Sequence, residues 1–189
     1  MNQSNINVPW VALWTSERDS LRTVNVTSNG ICGRRDRHGI YWIQYGDSVG
    51  VGEPLFGQVH TDRQVNCMRK TLCQVCGQKI SRTDCYWILN KVESQDLKDG
   101  KCFVTQTPPV CANCIKIATE QCPHLISMGK DVPLLRVFNY SCVAVNGDLA
   151  LPGKEVQRHV ILQYGHPKIK YLLGRQLIVE LKQWERMRI

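Results

Sequence analysis

The sequence predicts an α+β fold: a strand-rich single domain over residues 1–189, built around a zinc-bound, treble-clef-like module and closed by a C-terminal amphipathic helix. Three observations predict it. Two C-x-x-C motifs, Cys73-Gln-Val-Cys76 and Cys111-Ala-Asn-Cys114, are separated by 34 residues. Each turns two sulfurs toward one point, as a tetrahedral zinc site requires. The segments around them are rich in β-branched and aromatic residues broken by Gly and Asp. The last stretch carries Leu173, Leu177, Leu181 and Trp184 at helical spacing.

The N-terminal part, residues 1–72, reads as β structure. Residues 8–14, 21–26 and 40–45 are its strands. Residues 46–57 hold four glycines and a proline and read as a mobile loop. Residues 65–72 read as a short helix or an extended lead into the first cysteine pair.

The zinc module spans residues 73–126. Cys73 to Cys76 runs into Gly77, which lets a knuckle turn bring its N–H groups near sulfur. Strands over 86–89 and 101–105 follow, joined by the polar turn 94–100 as a hairpin. Pro108 and Pro109 precede Cys111 and Cys114, which open the helical pattern 115–121. A helix N-terminus suits thiolates because its free N–H groups stabilise negative charge. Knuckle, hairpin and a ligand pair at a helix start make the treble-clef order; a zinc ribbon with two hairpin knuckles is the alternative.

Residues 127–189 return to strands. Residues 134–145 lead into Asn146-Gly147, a hairpin turn signal, and 156–164 give the returning strand. Pro167 starts the final helix, with Lys182, Arg186 and Arg188 in its last turns.

No apolar run is long enough to cross a bilayer, and residues 1–8 carry no basic residue, unlike a secretory signal. A cytoplasmic protein is expected, in which ten cysteines serve as thiols and metal ligands rather than disulfides. The formal charge of +8 favours acidic partners. It is spread along the chain, and a zinc ion held by four thiolates would be doubly negative.

The ligand set read here is Cys73, Cys76, Cys111 and Cys114, with Zn2+ as cofactor. Cys122 and His124 are second or substitute ligands, joined by Cys85 or Cys67. Against them stands a simpler reading, in which Pro123 stops the helix and Cys122 packs inside. Arg34, Arg35 and Arg37 precede Tyr41 and Trp42, and Arg69 and Lys70 abut the first knuckle. Arginine pairs with phosphate and aromatics stack on bases, so these are candidate nucleic-acid contacts. His60 and Arg63, near the glycine-rich loop 46–64, are the catalytic candidates for a small hydrolytic or tailoring enzyme. Gly46-Asp-Ser48-Val-Gly50 matches G-x-S-x-G, but a nucleophile elbow needs a helix after it and none is indicated. Treble-clef nucleases place a His within the module, and none lies between Cys76 and Cys111.

Phe56-Gly57, Val59-His60, Arg63-Gln64, Leu72-Cys73-Gln-Val-Cys76-Gly77, Pro108-Pro-Val-Cys111, Cys122-Pro-His124-Leu125 and residues 176–181 together resemble a group of small bacterial proteins with paired C-x-x-C motifs. The resemblance runs from about residue 8 into the C-terminal segment. It implies a discrete family and no particular activity. Cys67 and Cys85 fall outside its pattern; Cys122 and His124 fall within it. The expected function is a zinc protein that contacts nucleic acid or a nucleic-acid-bound complex. The alternatives are the small enzyme and a protein-partner module using the C-terminal helix for docking or homodimerisation.

Overall fold

A computed structural model describes residues 7–18, 24–81, 83–90, 92–93, 101–129 and 132–187. In chain order its elements are β1 (Ala12–Trp14), α1 (Thr15–Arg18), β2 (Val26–Thr27), β3 (Gly30–Ile31), β4 (Tyr41–Trp42), β5 (Pro54–Val59) and α2 (Thr61–Lys70). There follow β6 (Cys85–Ile88), β7 (Phe103–Thr105), β8 (Val110–Cys111), α3 (Ala112–Gln121), α4 (Pro123–Ile126), β9 (Leu134–Leu149), β10 (Gln157–Gln163), a 3-10 turn (Ile169–Tyr171) and β11 (Leu172–Met187). The chain divides into two compact units that cut across the three segments read from the sequence. The cysteine unit takes residues 1–11, 66–141 and 180–189; the glycine-loop unit takes 12–65 and 142–179.

In the cysteine unit β6 lies antiparallel to both β8 and β9, with Cys85 opposite Cys111 and Trp87 opposite Leu135. β7 pairs with β11. Met68, Trp87, Leu89, Leu135 and Leu181 form the buried core. Polar atoms inside it find partners, as burial demands. The Trp87 indole donates to the Thr107 carbonyl at 2.8 Å, and its ring meets the Tyr140 ring edge-on at 5.0 Å. The Tyr140 hydroxyl donates to the Met68 carbonyl at 2.9 Å.

In the glycine-loop unit β1 pairs antiparallel with β5, β2 with β3, and β10 with β9, while β4 lies parallel to β11. Leu13, Ile31, Ile40, Val145, Leu172 and Leu177 are buried in its core. Gln64 acts as a short length of strand. Its side-chain amide accepts from the Leu177 N–H and donates to the Leu177 carbonyl, both at 2.9 Å.

Several expected elements are replaced. The C-terminal segment is the sixteen-residue strand β11, not an amphipathic helix. Leu173, Leu177 and Leu181 are four apart, and that spacing fits one face of a strand as well as one face of a helix. The run Leu177, Ile178 and Val179 is buried at every position, as in a strand covered on both faces. With the helix goes the docking surface assigned to it, and Arg188 lies outside the described residues. Asn146-Gly147 is not a hairpin turn but lies inside β9. A Cβ on Gly147 would stand 2.3 Å from the Leu173 carbonyl oxygen, so glycine is there for close backbone approach. The strands over 86–89 and 101–105 form, but they pair with other partners and not with each other. The turn 94–100 and residues 21–23 of the strand over 21–26 lie outside the described residues. Of the glycine loop, residues 54–59 are strand β5. Its earlier part is tied to α1: the Gly46 N–H donates to the Glu17 carbonyl at 3.0 Å and the Ser16 hydroxyl to the Val51 carbonyl at 2.8 Å.

Candidate metal centre

The first cysteine pair sits on a small reverse turn. The Cys73 N–H donates to the Gln78 carbonyl and the Gly77 N–H to the Cys73 carbonyl, each at 2.8 Å. Gly77 has φ +73°, and a Cβ there would lie 2.9 Å from the Trp10 ring, so both backbone and space call for glycine. The Trp10 N–H donates to the Val75 carbonyl at 2.9 Å, which lays the N-terminal segment along the turn. On the other side the Gln74 N–H donates to the Pro109 carbonyl at 2.9 Å and its side-chain amide to the Pro108 carbonyl at 2.8 Å. The Pro-Pro segment thereby delivers the second cysteine pair to the first.

Cys111 ends β8 and is the N-cap of α3, with extended backbone; Cys114 follows in the first helical turn. The four sulfurs all lie within 4.8 Å of one another. Cys76 and Cys111 sulfurs are 3.9 Å apart. Zinc–sulfur bonds of about 2.3 Å at tetrahedral angles put sulfurs about 3.8 Å apart. The set therefore fits a tetrahedral thiophilic cation with little adjustment. Cys73 and Cys114 are buried, Cys111 is half-buried and Cys76 is exposed.

The electrostatics also call for a cation. Burial pushes the Cys73 thiol up, but backbone N–H groups of Cys111, Cys76 and Val75 outweigh it and bring the thiol below its ordinary value. The Cys111 N–H reaches the Cys73 sulfur at 3.4 Å. Cys111 and Cys114 are raised, first by burial and with the Cys73 charge adding to it. Four adjacent thiols do not all ionise without a positive charge among them, which a divalent cation would supply.

The remaining cysteines stand apart from this set. Cys67 and Cys85 are buried, and burial, with the Cys73 charge behind it, pushes each thiol up to about 12. Cys122 caps the end of α3 through its N–H to the Ala118 carbonyl, and Pro123 starts the one-turn helix α4 with His124 exposed. Neither Cys122 nor His124 joins the four-sulfur group, and no second group of three or more ligating side chains gathers among the described residues.

The catalytic candidates turn out to be buried and engaged. His60 is 4% exposed, and its Nε2 donates to the Gly46 carbonyl at 3.0 Å. Arg63 forms an ion pair with Glu17 at 2.5 Å, and Glu17 is fully buried. Glu17 also accepts the Trp14 N–H at 2.8 Å and the Ser48 N–H at 3.2 Å. These residues hold the glycine loop against α1. A cavity of about 250 Å³ is lined by Val92, Glu93, Cys102, Phe103 and Val104, not by His60 or Arg63. Ser48 is followed by turns and then β5, so the helix of a nucleophile elbow is missing there. Glu17 escaped the sequence reading, since nothing in Thr-Ser-Glu-Arg announces burial.

The basic candidates divide. Arg35 clamps its own turn, donating to the Asn29 carbonyl at 3.0 Å and the Ile31 carbonyl at 2.7 Å. Arg34 and Arg37 are exposed, and the Arg37 Nε donates to His38, whose ring stacks on Tyr164 at 4.2 Å. Arg69 and Lys70 are exposed in the last turn of α2, where cations suit the helix dipole. They belong to the cysteine unit, and the arginine trio belongs to the glycine-loop unit. No helix among the described residues is long and apolar enough to cross a membrane. No protein-family model, curated protein or solved structure matches the chain.

Proposed function

We propose that Cys73, Cys76, Cys111 and Cys114 hold one zinc ion as a structural centre in a binding protein rather than an enzyme. The gathering of all four sulfurs within 4.8 Å carries this reading. Four protein ligands fill a tetrahedral shell and leave no position for substrate, so the ion stabilises the fold. The knuckle and the helix-start pair are treble-clef-like, with β6 paired to β8 and β9 in place of a hairpin. Reduced ligand thiols suit the cytoplasm. The test is titration of reduced, metal-free protein with Co2+. One equivalent should give tetrahedral visible bands with intense sulfur-to-cobalt charge transfer, and zinc should displace it. Absence of a stoichiometric signal overturns the reading.

Contact with nucleic acid is a second reading. It is favoured by exposed Arg69 and Lys70 around the first knuckle, beside Lys79, whose Nζ donates to the Lys70 carbonyl. Arg34 is exposed to phosphate, whereas Arg35 is committed to backbone carbonyls and the Arg37 Nε to His38. The zinc-loaded protein should bind duplex or single-stranded oligonucleotides with affinity that falls steeply with salt. Replacing Arg69, Lys70 and Lys79 by Ala should weaken binding uniformly across sequences and flatten the salt slope. No binding at low salt removes this reading and leaves the zinc centre untouched.

A further inference from the structure

We infer that Cys85 is a resolving thiol for the metal centre, poised to form a cross-strand disulfide with the ligand Cys111 when the site meets a peroxide. The inference rests on the zinc reading above. Cys85 and Cys111 are direct partners in the antiparallel pairing of β6 and β8. Directly opposed residues point to the same face of a sheet, with Cβ atoms about 4.5–5.5 Å apart, so a disulfide, which spans about 3.5–4.5 Å between Cβ atoms, closes with a small local approach of the two strands. Their Cα separation, about 4.5–5.5 Å for either kind of antiparallel pair, falls within the range a disulfide spans. Cys85 is 2% exposed, so the reserve thiol is shielded, while the half-buried Cys111 is open to attack. Cys76 is more exposed still, but it lies on the knuckle turn and has no such cross-strand thiol. Cys85 is not one of the four gathered sulfurs, so it is not tied up by the ion when Cys111 is oxidised.

The chemistry balances with hydrogen peroxide as the two-electron oxidant. The Cys111 thiolate attacks the peroxide and takes one oxygen to become a sulfenic acid, and the hydroxide released takes a proton from solvent to become water. The Cys85 sulfur then attacks the sulfenic sulfur. The S–S bond forms, the S–O bond breaks, and the hydroxyl leaves as a second water with the Cys85 proton. Two thiols are oxidised and one peroxide is reduced. With Cys111 withdrawn, Cys73, Cys76 and Cys114 alone would be left to hold the ion, and a competing chelator would take it. A thiol reductant with zinc restores the site.

The test uses the full, reduced, zinc-loaded chain. Zinc content is measured first, so a protein without stoichiometric zinc counts against the proposed function and not against this inference. Hydrogen peroxide is then added with a chromophoric zinc chelator, free thiols are alkylated, and disulfides are mapped by non-reducing peptide mass spectrometry. The expected result is a Cys85–Cys111 disulfide that appears in step with zinc release and reverses with reductant. Cys85→Ser should retain zinc but release it about tenfold more slowly at the same peroxide dose. Cys85→Ala serves if the serine variant does not fold. A dominant disulfide between any two of the four ligands in the unaltered chain, Cys76–Cys111 included, overturns the inference, as does unchanged release in the variant. The mapping on the unaltered chain decides even if neither variant folds.

Discussion

The cysteine unit gathers four sulfurs into a group able to hold a metal ion, whereas the glycine-loop unit closes its own charges on each other. There Glu17 takes Arg63, and Asp148 takes the Arg175 Nε and Nη2 at 2.9 and 2.6 Å. The difference teaches where each unit's integrity is kept. In one, on the zinc reading proposed above, it depends on an ion and on the reduced state of its ligands. In the other it depends on side chains that the chain always carries. Conditions that strip metal and substitutions that strip a partner should therefore separate the two.

Metal removal is the largest lever. Structural zinc supplies on the order of 10 kcal/mol to small zinc-held modules at neutral pH. A strong chelator under reducing conditions, or Cys73→Ser, should abolish amide protection around Trp87 and Leu135 and the near-ultraviolet dichroism of the cysteine unit. Protection of the Leu177 amide, which Gln64 holds, should persist. Hydrogen exchange read residue by residue decides it. Simultaneous loss at Leu135 and Leu177 breaks the comparison.

The converse lever is Arg63→Met. It leaves the fully buried Glu17 carboxylate without its cation and should cost about 3–5 kcal/mol in denaturant unfolding, while metal stoichiometry stays the same. Adding Glu17→Gln should recover a large part, because the penalty is the orphaned charge more than the lost pair. A loss below about 1 kcal/mol would mean that water already serves the pair.

How far the sequence was legible follows the same divide. The metal centre could be read because each C-x-x-C is local: two sulfurs and a following glycine or helix start fix most of the geometry within five residues. The polar closure of the other unit could not, because Glu17 and Arg63 meet across a sequence separation of 46. Helix α3 was readable from its capping cysteine and its apolar period. Strand β11 was not, because leucines four apart fit both periods and only burial on both faces decides between them. Asn146-Gly147 misled for a related reason. Its glycine answers to the Leu173 carbonyl, a contact with a strand far along the chain, and not to a turn.

A smaller effect sharpens the role of the knuckle. Gly77→Ala imposes a positive φ on a residue with a Cβ and drives that Cβ into the Trp10 ring. The expected cost is about 1–3 kcal/mol. Zinc affinity should fall in parallel, and Trp fluorescence should report displacement of Trp10. A Trp10→Ala background should remove the steric part and leave only the backbone part. Equal losses in both backgrounds would assign the whole effect to φ.

The smallest expected effect is a slope at high pH. Cys67 is fully buried, and burial pushes its thiol from the ordinary 9.0 up to about 12. The unfolded chain therefore gives up this proton near pH 9, while the folded chain holds it to about pH 12. Below pH 9 both states keep the proton and the thiol adds no pH dependence. Between those values the unfolded state binds fewer protons, so folding stability falls as pH rises. Cys67→Ala should flatten that decline, whatever its packing cost at neutral pH. Because Cys67 is not among the gathered sulfurs, the change should leave Co2+ charge-transfer bands in place. An unaltered alkaline slope would mean that the folded unit already opens enough below pH 12 for Cys67 to ionise.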